Sequence, residues 1–270
     1  MVELLDDTSP TVVEAVKRAL IAADRRADVP LRRAAESELP RLRVRARQTL
    51  LTRERRATIR RLLGYVMRDD LDFERALFVL GGLDRPGLDR RPYVRALDAM
   101  AAAVRDKITA ANDPGTAPLA LAEVLGDRMG FVGSEVDYDH PDNIHLHRAI
   151  ERKRGMPLTL VAIYLFVARR AGIRAAAVPL PGHVMCRLYA NDRAYLVDPF
   201  HGGKLRTRED CVRYLALHEL VPRAAWFRDA ADRDLFQRHV RNMMRSFDVR
   251  GRQDEARGLL EVARTLGRHG

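Results

Sequence analysis

The fold class follows most directly from residues 157–172, which read PLTLVAIYLFVARRAG. This stretch has no charged residue before Arg169, and a helix that is apolar on every side must be buried on every side. Pro157 suits the first turn of such a helix, and Gly172 suits the position just past its end. Because the apolar run is too short to span a bilayer, it predicts the central helix of a soluble protein core.

Three short extended runs follow this helix, at residues 175–178, 183–189 and 194–198. A buried helix that leads into consecutive strands is typical of an α+β domain with an antiparallel sheet. We therefore predict the fold class α+β. The prediction comprises a helical N-terminal half, a core with an antiparallel sheet around a buried central helix, and a helical C-terminal tail.

The segments before residue 126 carry helical patterns only. The first begins with Ser9 as a candidate cap and Pro10 in the first helical turn, and apolar residues follow at helical spacing. The predicted helices lie within residues 9–23, 30–51, 55–80 and 89–107. The N-terminal half is therefore expected to be all-helical.

The composition changes after residue 126. Residues 130–143, GFVGSEVDYDHPDN, are rich in Gly, Asp, Pro and Asn and predict a loop, which leads into a helix at residues 145–153. The C-terminal end returns to helix, where residues 232–249 and 253–266 predict an antiparallel pair broken at Gly251. Helices are thus expected on both sides of the predicted sheet along the chain.

Composition excludes several classes of protein. The 270 residues are 47% hydrophobic and 31% charged, without a tract of Pro or Gly, which excludes disordered and fibrous chains. The first residues lack the basic start and apolar centre of a signal peptide. Cys186 and Cys211 are too few for a disulfide framework and, by themselves, for a zinc site. We therefore expect a cytoplasmic protein with no membrane association and no cofactor.

The formal net charge is +11, and 44 of the 48 basic residues are Arg. Nine Arg residues against the single Glu54 lie in residues 41–61, which begin at Arg41 and end at Arg61. This stretch is the candidate for contact with the phosphates of a nucleic acid. It contains no aromatic residue that could stack on bases, so a solvated helix face is the favoured interpretation and phosphate contact is the alternative.

The candidate for chemistry is the pair His183 and Asp198. Strand alternation over residues 183–189 directs the side chains of His183 and Cys186 to opposite sides, so Cys186 is predicted to be a buried core thiol. Asp198 ends the next predicted strand, and a His and an Asp on neighbouring strands can form the orienting half of a catalytic triad. The alternative is a structural His–Asp hydrogen bond.

Three motifs surround this pair: RKRGMPLTL at residues 152–160, VPLPGH at 178–183 and VDPFHGG at 197–203. Together they resemble the transglutaminase-like superfamily, and more closely its SirB-type bacterial branch. The resemblance implies a papain-like core in which a Cys at the start of the helix, a His on one strand and an Asp on the next form a triad. His183 and Asp198 match the last two of these positions.

The chain departs from this pattern at the nucleophile. Pro157, which has no nucleophilic atom, occupies the position of the family's Cys, as in the SirB-type branch as a whole. Thr159 carries the nearest hydroxyl, and two interpretations stay open for it. It either satisfies backbone donors in the first helical turn, or it acts as an unconventional attacker with His183 as its base.

Metal binding is not expected from the His residues. His145, His147 and His201 could join His183 as ligands, but no spacing among them matches a known metal motif. We expect surface positions or supporting roles for these three side chains.

The flanking helices carry further resemblances. The opening LLDDTSPTVVEAV is similar to a HEAT-type repeat, and RHVRNMMRSF with DEARGLLEVA is similar to the TPR-like helices that follow the core in the SirB-type branch. Stacked helix pairs present extended concave surfaces, so a protein partner is expected. The predicted segments are a HEAT-like segment at 1–57, a helical segment at 58–125 that packs on the core, a transglutaminase-like core at 126–222 and a TPR-like tail at 223–270.

Two functions of different classes follow from the resemblance. The first is a non-catalytic regulatory or protein-interaction module that lacks the Cys nucleophile. The alternative is an acyl-transfer enzyme or amide hydrolase that uses His183 and Asp198, with Thr159 or an activated water as attacker.

Overall fold

The computed structural model describes residues 1–268, so the last two residues of the predicted tail lie outside the described range. Internal contacts divide the chain into two compact units. The first comprises Met1–Arg61 with Gly82–Gly87, and the second comprises Leu62–Gly81 with Leu88–Gly270. The four-segment division made from the sequence stays a prediction.

The first unit is built from helices α1 (Pro10–Ala22), α2 (Asp28–Ala34) and the greater part of α3 (Pro40–Val66). Its small core contains Leu5, Leu20 and Leu31, each fully buried. The single helix predicted over residues 30–51 is wrong, because Pro40 starts a new helix after a short turn. The predicted break after residue 51 is also wrong, since α3 continues to Val66.

The Arg-rich stretch lies on α3 and binds backbone carbonyl groups of its own unit. Arg53 donates to the carbonyls of Leu20, Ala23 and Asp24 at the end of α1, and its Nε lies 2.8 Å from the Asp28 carboxylate. The Leu20 and Ala23 carbonyls lie where the backbone donors of α1 run out, so the guanidinium supplies donors there. The Asp24 carbonyl, just past the helix, also accepts from the Ala27 amide at 3.3 Å. Similar bonds to carbonyls are made by Arg43, Arg45, Arg47 and Arg55. These five side chains thus bond to carbonyls of their own unit, whereas Arg41, Arg56, Arg60 and Arg61 are exposed, as a solvated helix face predicts.

The second unit begins with helices that pack around one central helix. They are α4 (Phe73–Gly81), α5 (Arg91–Ala111), α6 (Ala117–Ala122) with the π-helical turn Glu123–Arg128, α7 (Pro141–Ile144) and α8 (Leu146–Arg152). A parallel pair of two-residue strands, β1 (Val132–Gly133) and β2 (Arg154–Gly155), joins the segments before and after α7 and α8. This pair lies partly in the predicted loop and was not expected, because two residues carry no strand pattern.

The central helix is α9 (Pro157–Arg170), and all of its side chains from Pro157 to Ala168 are buried. The helix predicted from the apolar stretch is therefore confirmed. Phe166 packs edge-to-face on Phe73 of α4, with 5.4 Å between the ring centroids. Within residues 1–268, neither α9 nor any other helix is long and apolar enough to cross a membrane.

A four-stranded antiparallel sheet covers one side of α9, in the order β3 (Ala175–Leu180), β4 (His183–Ala190), β5 (Arg193–Asp198) and β6 (Lys204–Arg206). The α+β prediction and its three strands are confirmed. The short edge strand β6 was not predicted, since two of its three residues are basic.

The C-terminal part of the second unit consists of α10 (Arg208–Leu217), α11 (Asp232–Val249) and α12 (Gln253–Leu266). The bounds of α11 and α12 are those predicted. The helix α11 buries an apolar face that includes Phe236, Val240 and Phe247, and it packs against α4, α7 and α9 as well as α12. It thereby places its polar face close to the start of α9.

We expect Arg53→Met to lower the free energy of unfolding by about 3 kcal/mol, because several carbonyls and the Asp28 carboxylate lose a largely buried cationic donor. Urea unfolding followed by circular dichroism measures the change. The matched control is Arg56→Met on the same helix, an exposed position where we expect less than about 0.5 kcal/mol. Equal losses in the two variants would show that the carbonyl contacts contribute nothing specific.

Candidate active site

The turn between β3 and β4 fixes the position of His183. Pro181 and Gly182 form a two-residue connection, and the register pairs Leu180 with His183. Gly182 has a φ of +75°, a conformation that favours glycine, and an added Cβ would lie 2.8 Å from the Tyr214 hydroxyl. The backbone of His183 is therefore held at the first residue of β4, with its side chain buried.

Asp198 lies at the end of the neighbouring strand and accepts hydrogen bonds from the predicted partner. Nε2 of His183 is 2.9 Å from Oδ1 of Asp198, and the side chains are 7% and 3% exposed. Within residues 1–268, Nε2 is the only imidazole atom of His183 that makes a hydrogen bond. The predicted hydrogen bond between His183 and Asp198 is present. Both the catalytic-triad interpretation and the interpretation as a structural hydrogen bond predict it.

Two further donors share the Asp198 carboxylate. Nδ1 of His201 lies 2.7 Å from Oδ2, and Nε of Arg206 lies 3.4 Å from the same oxygen. His201 lies in the tight turn after β5, and Arg206 is the last residue of β6. The hydrogen-bonded group around Asp198 thus has four members, and one of them comes from a strand that the sequence did not predict. Gly126 allows this turn to approach closely, because an added Cβ would lie 2.0 Å from the Gly202 carbonyl oxygen.

The shared carboxylate has a low pKa. Burial by itself raises the pKa of Asp198, but the hydrogen bond and charge of His183, with those of His201, outweigh burial and bring the pKa to about 2. Asp198 is therefore ionised at neutral pH. It can hold His183 in the tautomer that carries the proton on Nε2, which leaves Nδ1 as a potential base.

Neither cysteine has the properties of a nucleophile. Cys186 is fully buried on β4, as predicted, and burial raises the pKa of its thiol to about 12. Cys211 is buried on α10, and burial raises the pKa of its thiol as well. A thiol that stays protonated at neutral pH is a weak nucleophile.

Thr159 uses its hydroxyl outside its own helix. The hydroxyl donates to the Ile144 carbonyl at 3.3 Å, and Nε2 of His239 donates to the same carbonyl at 2.7 Å. The capping interpretation of Thr159 is therefore wrong, because the hydroxyl joins α9 to the end of α7. The structure does not bring this hydroxyl to His183, whose hydrogen bond goes to Asp198.

His183 lines a cleft of about 270 Å³ together with Pro157, the first residue of α9. The helix α11 contributes Arg238, Asn242 and Arg245 to the lining of this cleft. Sequence reasoning missed these three residues. Their spacing of four and three residues places them on one face of the predicted helix, which was the available signal.

Metal binding is geometrically conceivable at one place among the described residues. His183, Asp198 and His201 offer three ligand atoms within 4.8 Å of one another, whereas His145 and His147 belong to no such group. In this structure the three side chains are joined by hydrogen bonds, and the nearby charge of Arg206 opposes a cation. In this structure the three side chains form a hydrogen-bonded network.

Comparison with known proteins gives several matches. The family profile described as transglutaminase-like superfamily matches residues 91–241, a range that contains Pro157, His183 and Asp198. A UPF0162 protein of Xylella fastidiosa is 33% identical over 122 residues, which cover 44% of this chain and 42% of that protein. A UPF0162 protein of Pseudomonas aeruginosa is 30% identical over 186 residues, which cover 66% of each chain.

A eukaryotic protein is also similar to this chain. F-box only protein 21 of Mus musculus is 29% identical over 134 residues, which cover 46% of this chain and 21% of that protein. The chain thus spans less than half the length of the Xylella and mouse proteins that it matches. No solved structure matches the chain.

Protein stability should depend on pH through Asp198. Folding lowers the pKa of this carboxyl, so its contribution is complete above about pH 4 and is lost as the pH falls through about 2, a total of about 2 kcal/mol. We expect urea unfolding measured across this window to show a smaller pH slope in Asp198→Asn than in the wild type. Asp69→Asn, at an exposed position, serves as the control and should keep the wild-type slope. An unchanged slope in Asp198→Asn would contradict the assigned hydrogen-bond network.

The two thiols should be unreactive in the native protein. With a pKa of about 12, the Cys186 thiol has roughly a thousandfold less thiolate at mildly alkaline pH than an unperturbed Cys, and burial also blocks reagent access. We expect no labelling by Ellman's reagent in buffer and two equivalents in denaturant. Rapid native labelling of either residue would show an accessible nucleophile that this site description lacks.

Proposed function

The chain belongs to the transglutaminase-like superfamily, and from this premise we propose that it is a SirB-type member that acts as a non-catalytic regulatory or protein-interaction module. The observation that carries the proposal is Pro157. This residue lines the cleft beside His183, at the first turn of α9, where the family's mechanism requires a thiolate. A helix start is a favourable place for a thiolate, so replacing Cys by Pro here removes the nucleophile where it would be most reactive.

The remaining candidates for an attacking group support the same proposal. Cys186 and Cys211 are buried with raised pKa values, and the Thr159 hydroxyl is bound to the Ile144 carbonyl. A hydroxyl needs a base within hydrogen-bond reach before it can attack. None of these three side chains has both exposure to the cleft and a base beside it.

The helices outside the sheet support a protein partner. The helices α11 and α12 pack on each other, and their sequence resembles TPR-like helices, while the sequence around α1 resembles a HEAT-type repeat. Stacked helix pairs of this kind present extended surfaces for other proteins. We place this role in a bacterial cytoplasm, which agrees with the two free thiols and with the UPF0162 relatives of Xylella and Pseudomonas.

One observation favours a second candidate, an amide hydrolase or acyl-transfer enzyme with water as attacker. The His183–Asp198 pair is assembled, and His183 faces a cleft with Nδ1 free of hydrogen bonds among the described residues. In this reaction Nδ1 accepts a proton from water as the oxygen attacks the carbonyl carbon, and the proton then passes to the leaving amine. Asp198 stabilises the imidazolium that forms between the two steps.

Affinity purification of the full chain from its own cells, compared with His183→Ala, distinguishes the two functions. We expect a protein partner in a fixed stoichiometric ratio, retained in His183→Ala because the interaction does not need the imidazole. Mass spectrometry of the eluate and size-exclusion chromatography measure this ratio.

The enzyme alternative predicts a different pair of results. It requires amide or ester turnover by the wild type that His183→Ala abolishes without changing the thermal midpoint of unfolding. Such turnover, in the absence of a stoichiometric partner, would overturn the interaction proposal.

A further inference from the structure

The cleft beside His183 contains a cationic side chain without a carboxylate partner. Arg238 of α11 donates through Nη2 to the carbonyls of Leu180 and His183, at 2.8 and 3.2 Å. Within residues 1–268 it makes no ion pair. In agreement with this, burial lowers the pKa of its guanidinium. Arg238 is partly buried, and a guanidinium that is partly withdrawn from water opposite neutral groups is stabilised by an anionic ligand.

The neighbouring side chains of α11 add donors to the same cleft. Asn242 lies one helical turn after Arg238, and its amide has no hydrogen-bond partner among the described side chains and backbone. Arg245 follows on the same face and is 74% exposed, and its nearest carboxylate is that of Asp139, 3.7 Å away. Asp139 contributes the only carboxylate among the described residues that line the cleft. Two guanidinium groups and one carboxylate therefore line this cleft.

The other walls of the cleft are compatible with an anion. The first turn of α9 lines it through Pro157 and Leu158, and the start of a 14-residue helix carries a partial positive charge. His183 adds an imidazole that can donate when it is protonated. These features reinforce the arginine and asparagine side chains of α11, which form the main part of the site.

We propose that this cleft binds an oxyanion, namely the phosphate or carboxylate group of a small ligand. Arg238 would be the partly buried charge partner, and Arg245 and Asn242 would complete the donor set. Guanidinium groups match the paired oxygens of both anions, and an amide adds a third directed donor. A volume of about 270 Å³ suits such a group with a few attached atoms. The inference goes beyond the proposed interaction role and does not depend on it, because no partner protein is needed to measure it.

The test is a titration of the purified full chain with inorganic phosphate and, separately, with acetate, at constant ionic strength kept by sodium chloride. We expect saturable binding of one equivalent in the millimolar range, followed by amide shifts in NMR spectra, with the two titrations showing which anion is preferred. Glycerol, which is neutral, should cause no such shifts.

Variants on one helix separate a site from general electrostatics. We expect Arg238→Gln to weaken binding by about tenfold or more and Arg245→Gln by a smaller factor. Arg241→Gln removes the same charge from an exposed position of α11 that does not line this cleft, and it should leave the affinity unchanged. Equal losses in Arg238→Gln and Arg241→Gln would overturn the proposal, as would the absence of saturable binding in the wild type.

Asn242→Asp covers the case in which Arg238→Gln does not fold, since Arg238 also holds two backbone carbonyls. This near-isosteric change breaks no hydrogen bond within the described residues and places a carboxylate in the cleft. We expect it to abolish anion binding while the thermal midpoint stays close to that of the wild type. Wild-type affinity in a folded Asn242→Asp variant would contradict the assigned site.

Discussion

The second unit depends on one constraint, that α9 must be buried on every side. An apolar helix with no polar face cannot lie at a surface, so it needs the sheet against one side and helices against the others. The strands β3 and β4 supply the sheet side, and α5, α8 and α11 supply the helical side. Because α9 is fixed from all directions, its first turn becomes a rigid wall for the cleft that contains His183.

The Asp198 network is the polar counterpart of this apolar core. One buried carboxylate accepts from two imidazoles and a guanidinium that come from different strands and turns. Burying a charge is tolerated only where donors satisfy it, and here they do so well enough to lower the pKa despite desolvation. The network that orients the His183 imidazole therefore also stabilises the fold.

Sequence patterns within a single segment predicted those helices and strands whose formation depends on that segment alone. The apolar run of α9, the strand alternation of β4 and the amphipathic periodicity of α11 and α12 each lie within a single segment, and each was found. The helix start at Pro40 was missed because the apolar pattern continues across it. The strand β6 was missed because its pairing with β5, and not its composition, makes it a strand.

The site was predictable to a similar extent. His183 and Asp198 could be paired because neighbouring strands bring the ends of β4 and β5 together. His201 reaches Asp198 only because of the tight turn after β5. Arg238 lies forty residues after Asp198 along the chain, and it lines the cleft only because α11 packs beside the start of α9. The bond between the Thr159 hydroxyl and the Ile144 carbonyl is likewise tertiary, so the local capping rule gave the wrong partner.

The two-residue turn at Pro181 and Gly182 limits how the sequence of this region can change during evolution. Side chains alternate between the two faces of a strand, so one residue added to or removed from the turn would shift β4 against β3 and turn His183 to the opposite face. Substitutions on the exposed parts of the sheet leave this register intact, whereas changes in turn length do not. Insertions and deletions are therefore excluded from this turn in any lineage that keeps the His183–Asp198 pair.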